Sequence, residues 1–113
     1  RSTIGIQIIS TEIPGSYSLY NNYPNPFNPV TKIRFDLPGN INGKITDVKI
    51  VIFDILGQQQ ETIVNRQLQP GRYEADWNAE NYPSGVYFYR ITVSQAGSSA
   101  VYYTDTRKMI LVK

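Results

Sequence analysis

The sequence contains no cysteine and no histidine. Without cysteine, disulfide staples and thiolate chemistry are excluded. Without histidine, the commonest general base and the commonest transition-metal ligand are both missing. Triads of the Ser-His-Asp kind are therefore excluded. No apolar run approaches the ~18 residues of a transmembrane helix. Charge of one sign accumulates nowhere: eleven Lys and Arg against nine Asp and Glu leave a net +2, and Arg107-Lys108 is the only adjacent basic pair. That balance argues against a nucleic-acid stripe and against a polybasic membrane patch, so neither is an expected partner. No segment repeats with the 3.6-residue period of an amphipathic helix.

What is present is β pattern. In Thr31 to Leu37, Ile33, Phe35 and Leu37 alternate with Lys32, Arg34 and Asp36, the period of a half-buried strand. Asp47 to Asp54 carries Val48, Ile50 and Ile52 on one face and Val51 and Phe53 on the other, which predicts a central strand covered on both sides. Glu61 to Leu68 is more polar and reads as an edge strand. Arg72 to Trp77 alternates again, with Tyr73, Ala75 and Trp77 opposite Arg72, Glu74 and Asp76. Gly85 to Val93 is aromatic and β-branched throughout; its inward set is either Tyr87, Tyr89 and Ile91 or Val86 and Phe88. A last strand is expected from about Lys108 to Val112, with Tyr102 and Tyr103 starting it early or forming a separate piece. Turns are expected at Pro38-Gly39-Asn40, at Gly57, at Pro70-Gly71, at Pro83-Ser84-Gly85 and at Gly97-Ser98-Ser99. Strands at this spacing predict an all-β fold, an immunoglobulin-like antiparallel two-sheet sandwich of six to eight strands. Its 113 residues suit one such domain. Residues 1–16, with the apolar stretch Ile4 to Ile9, read as a linker, the end of a preceding domain or an edge strand; the sandwich proper is placed at 17–113. The first residue is Arg1 rather than Met, so the chain is expected to be a segment of a longer parent.

Tyr23-Pro24-Asn25-Pro26-Phe27-Asn28-Pro29 stands apart. Its prolines fix φ and remove three backbone donors, and each residue before a proline is pushed out of the helical region. The segment is a stiff turning ribbon, with Asn25 and Asn28 suited to local Asx turns. Two readings stay open: Phe27 tucks into the sandwich edge while the prolines guide the chain into its first full strand, or the ribbon is a surface that a partner reads.

Other constellations have ordinary explanations. Asp54, Asp76 and Asp105 are placed at strand ends or turns, where acids cap loops, so no catalytic residues are assigned and the chain is not expected to be an enzyme. With neither Cys nor His, a metal site would have to be a hard-oxygen Ca²⁺ site. The ordered Asp-x-Asp-x-Asp-Gly loop is missing, so no metal and no cofactor is predicted. Nine tyrosines and Trp77 invite a carbohydrate-stacking surface, but rings of this number also suit the core of a small sandwich.

Four ordered blocks carry a family likeness. Tyr17-Ser18-Leu19, Asn22 to Pro29 and Thr31 to Pro38 form the first; Val48 to Gly57, ending Ile-Phe-Asp-Ile-Leu-Gly, the second; Pro83 to Arg90 the third; Lys108-Met109-Ile110-Leu111-Val112-Lys113 the fourth. Together they resemble the type A C-terminal sorting domains of the type IX secretion system found in Bacteroidetes. They are also similar to an immunoglobulin-like domain of flagellar hook-capping proteins. The resemblance implies a non-catalytic address label on a secreted enzyme or adhesin, read by the outer-membrane translocon. A sortase-type protease would then remove it, leaving the cargo at the cell surface. By the same analogy, translocon and sortase recognition falls on Pro24, Asn25, Pro26, Phe27, Asn28 and Pro29 and on Lys108, Met109, Ile110, Leu111, Val112 and Lys113. Gly57, Gly71 and Gly85 serve as structural turns. A cut is expected in a flexible lead near Thr11 to Ser18, and the outer edge of the last strand is expected to offer its backbone to a partner.

Overall fold

A computed structural model describes residues 5–39 and 45–113. They form eight strands and, among the described residues, no helix: β1 Ile6–Ser10, β2 Ser18–Leu19, β3 Val30–Leu37, β4 Thr46–Asp54, β5 Gln59–Leu68, β6 Gly71–Asn78, β7 Gly85–Gln95 and β8 Val101–Leu111. One sheet runs β1-β6-β3-β2, the other β5-β4-β7-β8. Every pairing between these strands is antiparallel. The chain changes sheet between β3 and β4, between β5 and β6, and again between β6 and β7. That connectivity makes the two sheets a sandwich of the immunoglobulin-like kind.

Period-2 alternation builds the core. Ile33, Phe35 and Leu37 of β3, Val48, Ile50 and Ile52 of β4, and Tyr73, Ala75 and Trp77 of β6 are all buried. On β7 the inward set is Tyr87, Tyr89, Ile91 and Val93. Tyrosine suits that role because a hydroxyl at the core margin can reach backbone. Tyr87 Oη donates to Pro83 O and Tyr73 Oη to Gln69 O, each at 2.7 Å. Both tie a strand to the loop before it, the tyrosine-corner device of immunoglobulin-like folds.

The outer face of the first sheet is more buried than alternation alone predicts. Lys32 lies opposite Asp76, Arg34 opposite Glu74 and Asp36 opposite Arg72 in the β3–β6 register, joined at 3.0, 2.9 and 3.0 Å. Cross-strand pairs of opposite charge stabilise a sheet face, and the long basic side chains cover the acids. Asp36 and Glu74 are consequently buried rather than exposed. Burial raises the Glu74 pKa, but the hydrogen bond from Arg34 and the nearby Lys32 charge outweigh it, so the carboxyl lies below its usual range.

Several local expectations need correction. β8 starts at Val101, well before Lys108, so Tyr102 and Tyr103 belong to the same strand. Gly57 does occupy a turn, at φ 82°. Gly71 and Gly85 instead open β6 and β7 directly after the bends that precede them. β4 is central in its sheet, yet its outer face is only partly covered, with the Arg90 guanidinium 4.8 Å above the Phe53 ring. Asp76 and Asp105 lie inside strands, not at their ends. Ile6–Ser10 is an edge strand on β6; Ile4, and Asn40 of the turn expected after β3, lie outside the described residues. In the lead at Thr11 to Ser18, Pro14 is buried and Glu12 lies 3.7 Å from Arg72, while Thr11, Ile13, Gly15 and Ser16 are exposed.

Candidate functional site on the proline ribbon and last strand

The ribbon is a wide loop between Tyr23 and Lys32, which exchange backbone hydrogen bonds at 2.9 and 3.0 Å. All three of its X–Pro bonds are cis. Polar side chains at its base brace it. Asn22 Nδ2 donates to Thr31 Oγ1 at 2.9 Å and to Pro24 O at 3.2 Å, and the Thr31 hydroxyl donates to the same carbonyl at 2.9 Å. Asn22 and Thr31 are buried for this purpose. At the far end, Ala79 N donates to Pro29 O at 2.8 Å.

From that base the ribbon reaches across to the other sheet and pairs with the end of β8. Phe27 N donates to Ile110 O, and Val112 N donates to Phe27 O, both at 3.0 Å. Ile110 N donates to Asn25 Oδ1, also at 3.0 Å. Asn25 thus makes a long-range bond rather than a local Asx turn. Phe27 and Leu111 form a parallel bridge. The chain before the ribbon follows the same seam: Tyr17 stacks on Tyr103 with ring centroids 5.1 Å apart, and Arg107 Nη1 donates to Asn21 Oδ1 at 3.0 Å. Tyr89 Oη donates to Tyr20 O at 2.7 Å, and burial pushes that phenol up to about 12.

Phe27 drops into an aromatic cluster under the ribbon. Its ring lies 5.7 Å from Trp77, which lies 5.4 Å from Tyr82 and 5.5 Å from Tyr87. Glu61 Oε1 accepts from both Trp77 Nε1 and Tyr82 Oη at 3.0 Å. Burial, and then that carboxylate, push Tyr82 up to about 12. Trp77 is 1% exposed, so it is the inter-sheet plug and offers no stacking surface.

The expected recognition residues therefore divide by side-chain direction. Phe27, Met109 and Leu111 are buried and hold the two segments together. Pro24, Asn25, Pro26 and Asn28 on the ribbon, and Lys108, Ile110, Val112 and Lys113 on the last strand and its tail, are exposed to solvent, with Pro29 half-buried. Lys113 folds back, its N donating to Ser84 Oγ at 2.9 Å and its Nζ to the carbonyl of Glu80. The outer edge of β8 is not open at this end, because the ribbon already occupies the backbone of Ile110 and Val112. A partner that extended the sheet there would have to displace the ribbon. Asn22, Thr31 and Glu61 escape a reading of sequence, since nothing in their spacing links them to the elements they brace.

The acids weighed for catalysis are engaged structurally. Asp54 accepts from Leu56 N, Gln58 N and Gln60 Nε2, each at 2.9 Å. Asp76 pairs with Lys32, and Asp105 with Arg107 at 3.6 Å. Among the described residues no group of three acids could hold a metal ion.

A family model described as "Secretion system C-terminal sorting domain" matches residues 21–102. Among solved structures, dimeric latent PorU from Porphyromonas gingivalis superposes with a TM-score of 0.64 at 22% identity, over 90% of this chain and 10% of that one. At that identity the likeness speaks for the fold, and the chain spans about a tenth of that protein. No curated protein matches.

Proposed function

The chain belongs to the secretion system C-terminal sorting domains, type IX, and from that premise we propose that its exposed ribbon and last strand together form the address by which a parent protein is exported. The observation that carries this reading is the pairing of two segments more than eighty positions apart: Asn25 and Phe27 with Ile110 and Val112. Two of the four blocks that carry the likeness, the first and the last, are thereby joined by backbone hydrogen bonds. On this reading the partners are the outer-membrane translocon and a sortase-type protease. The cargo is an enzyme or adhesin domain upstream. The route runs through the periplasm and outer membrane to the cell surface or medium, with the domain removed on the way. The domain itself performs no catalysis and takes no cofactor. A carbohydrate-binding or spacer role is the weaker reading, because Trp77 and the tyrosines beside it are spent on the core.

The test uses substitutions that leave the core alone. A signal peptide and fluorescent reporter fused before Arg1 should reach the surface or medium of a type IX-competent bacterium. The Lys108→Glu, Ile110→Gln double variant should stay in the periplasm as a folded protein. Equal export of both, or retention of the unsubstituted fusion, would refute the proposal.

A further inference from the structure

The turn between β4 and β5 carries the two most exposed large aliphatic side chains among the described residues, Ile55 at 66% and Leu56 at 79%. Turns of this kind ordinarily use Gly, Asn, Asp or Ser, and nothing in the packing of the sandwich needs aliphatic groups there. The turn is nevertheless rigid. Asp54 Oδ1 accepts from Leu56 N and Gln58 N, and Oδ2 from Gln60 Nε2. Asp54 N donates to Gln58 O and Gly57 N to Asp54 O, both at 3.0 Å, with Gly57 at φ 82°. Such a preformed apolar knob loses little freedom on docking.

Its position follows from register. Asp54 pairs with Tyr87, and Gly85 pairs with Leu111. The knob therefore projects from the same end of the sandwich as the ribbon and Val112, two strand spacings or about 10 Å from β8. We propose that Ile55 and Leu56 are an anchor that enters an apolar pocket on the protein that reads the ribbon and last strand. This rests on the sorting function proposed above. Two side chains are a small part of the roughly 800 Å² per partner of a stable interface. The knob is thus one component of a larger surface, and the ribbon lies at the same end of the sandwich. A bilayer is disfavoured, because Asp54 and Glu61 flank the knob and no Lys or Arg occurs between Lys49 and Arg66.

The reporter fusion decides the matter in the same host. Ile55→Ser with Leu56→Ser should leave the thermal midpoint of the domain unchanged and cut export at least tenfold. The exchange Ile55→Leu with Leu56→Ile should export normally. If the double serine variant melts lower, the single Leu56→Ser carries the comparison. Undiminished export of the serine variants beside an exported parent would overturn the anchor alone. A parent fusion that is itself retained would overturn the sorting function and the anchor with it. Binding of the domain to phosphatidylglycerol vesicles, lost in the serine variant, would assign the knob to a membrane and overturn the protein pocket.

Discussion

Leu111→Ala separates the part of the last strand that builds the fold from the part that faces outward. Leu111 is 1% exposed and Met109 is fully buried. Truncating one such side chain to Ala costs about 2–5 kcal/mol, the lost transfer energy plus the cavity left behind. At roughly 4 °C per kcal/mol for a domain of this size, the thermal midpoint should fall by about 8–20 °C. Deleting Lys108 to Lys113 removes both side chains, the β7 pairing of Lys108 to Leu111 and the three hydrogen bonds to the ribbon. Two buried side chains alone amount to about 4–10 kcal/mol, comparable with the roughly 5–15 kcal/mol of a typical domain, before the lost strand pairing is counted. The deleted chain should therefore be unfolded, and loss of export on deletion would not by itself report recognition. The assay is circular dichroism with heat and urea, comparing the parent with Leu111→Ala, Lys108→Glu and the deletion. Lys108→Glu should melt within about 0.5 kcal/mol of the parent, as surface changes do. A Leu111→Ala cost below about 1 kcal/mol, or a cooperatively folded deletion variant, would refute the reasoning.

Phe27→Ala should cost about 3–5 kcal/mol and shift Trp77 emission to the red, since the ring that covers the indole is gone; an unchanged spectrum would contradict the packing. Tyr89, pushed up to about 12, stabilises the fold in its protonated form. That contribution is complete below the ordinary phenol pKa of about 10 and is lost as pH rises through 12, about 3 kcal/mol over two units. Tyr89→Phe should flatten this alkaline slope in urea titrations, and an equally steep slope would reject the assignment. Glu74 behaves oppositely. Its lowered pKa stabilises the fold above the ordinary carboxylate range and the contribution fades as pH falls through the folded value, so Glu74→Gln should reduce the acid sensitivity of the thermal midpoint. Because β1 is docked on β6 and Pro14 is buried, a Glu-specific protease should cut after Glu12 faster in Ile6→Asp than in the parent, as read by mass spectrometry; equal rates would mean the lead is accessible with β1 in place.

Alternation made the architecture legible. Ile33, Phe35 and Leu37, or Tyr73, Ala75 and Trp77, declare an inward face by themselves, and the turn residues between such runs fix the number of strands. What the sequence does not show is which side chains meet across the strands. Asp36 and Glu74 have the chemistry of exposed positions, and only the register that sets them against Arg72 and Arg34 buries them. Asn25 has the chemistry of a local turn, yet its side-chain oxygen is taken by the Ile110 amide. Gly85 to Val93 is apolar on both faces, so the period could not choose between them; the opposing sheet did. In the sequence the candidate site reads only as two separate segments. Their union was invisible, because no local pattern records that Phe27 and Leu111 will lie side by side.

That union bears on how such an address can be read. The ribbon and the last strand each contribute side chains to the core and side chains to the surface. Their exposed groups share one surface only after Phe27, Met109 and Leu111 have closed the seam between the sheets. An unfolded chain carries the same residues but not the same surface. A partner whose affinity is divided between Asn25 or Asn28 on one side and Lys108 or Ile110 on the other gains from both contacts only when they are held together. On the function proposed above, the address is thus conformational: it is complete in the folded domain and lost by any change that opens the seam. Substitutions at Asn22 or Thr31, which touch neither exposed segment's outer face but brace the ribbon through Pro24 O, would then act on export through the same route, by loosening the ribbon rather than by removing a contact.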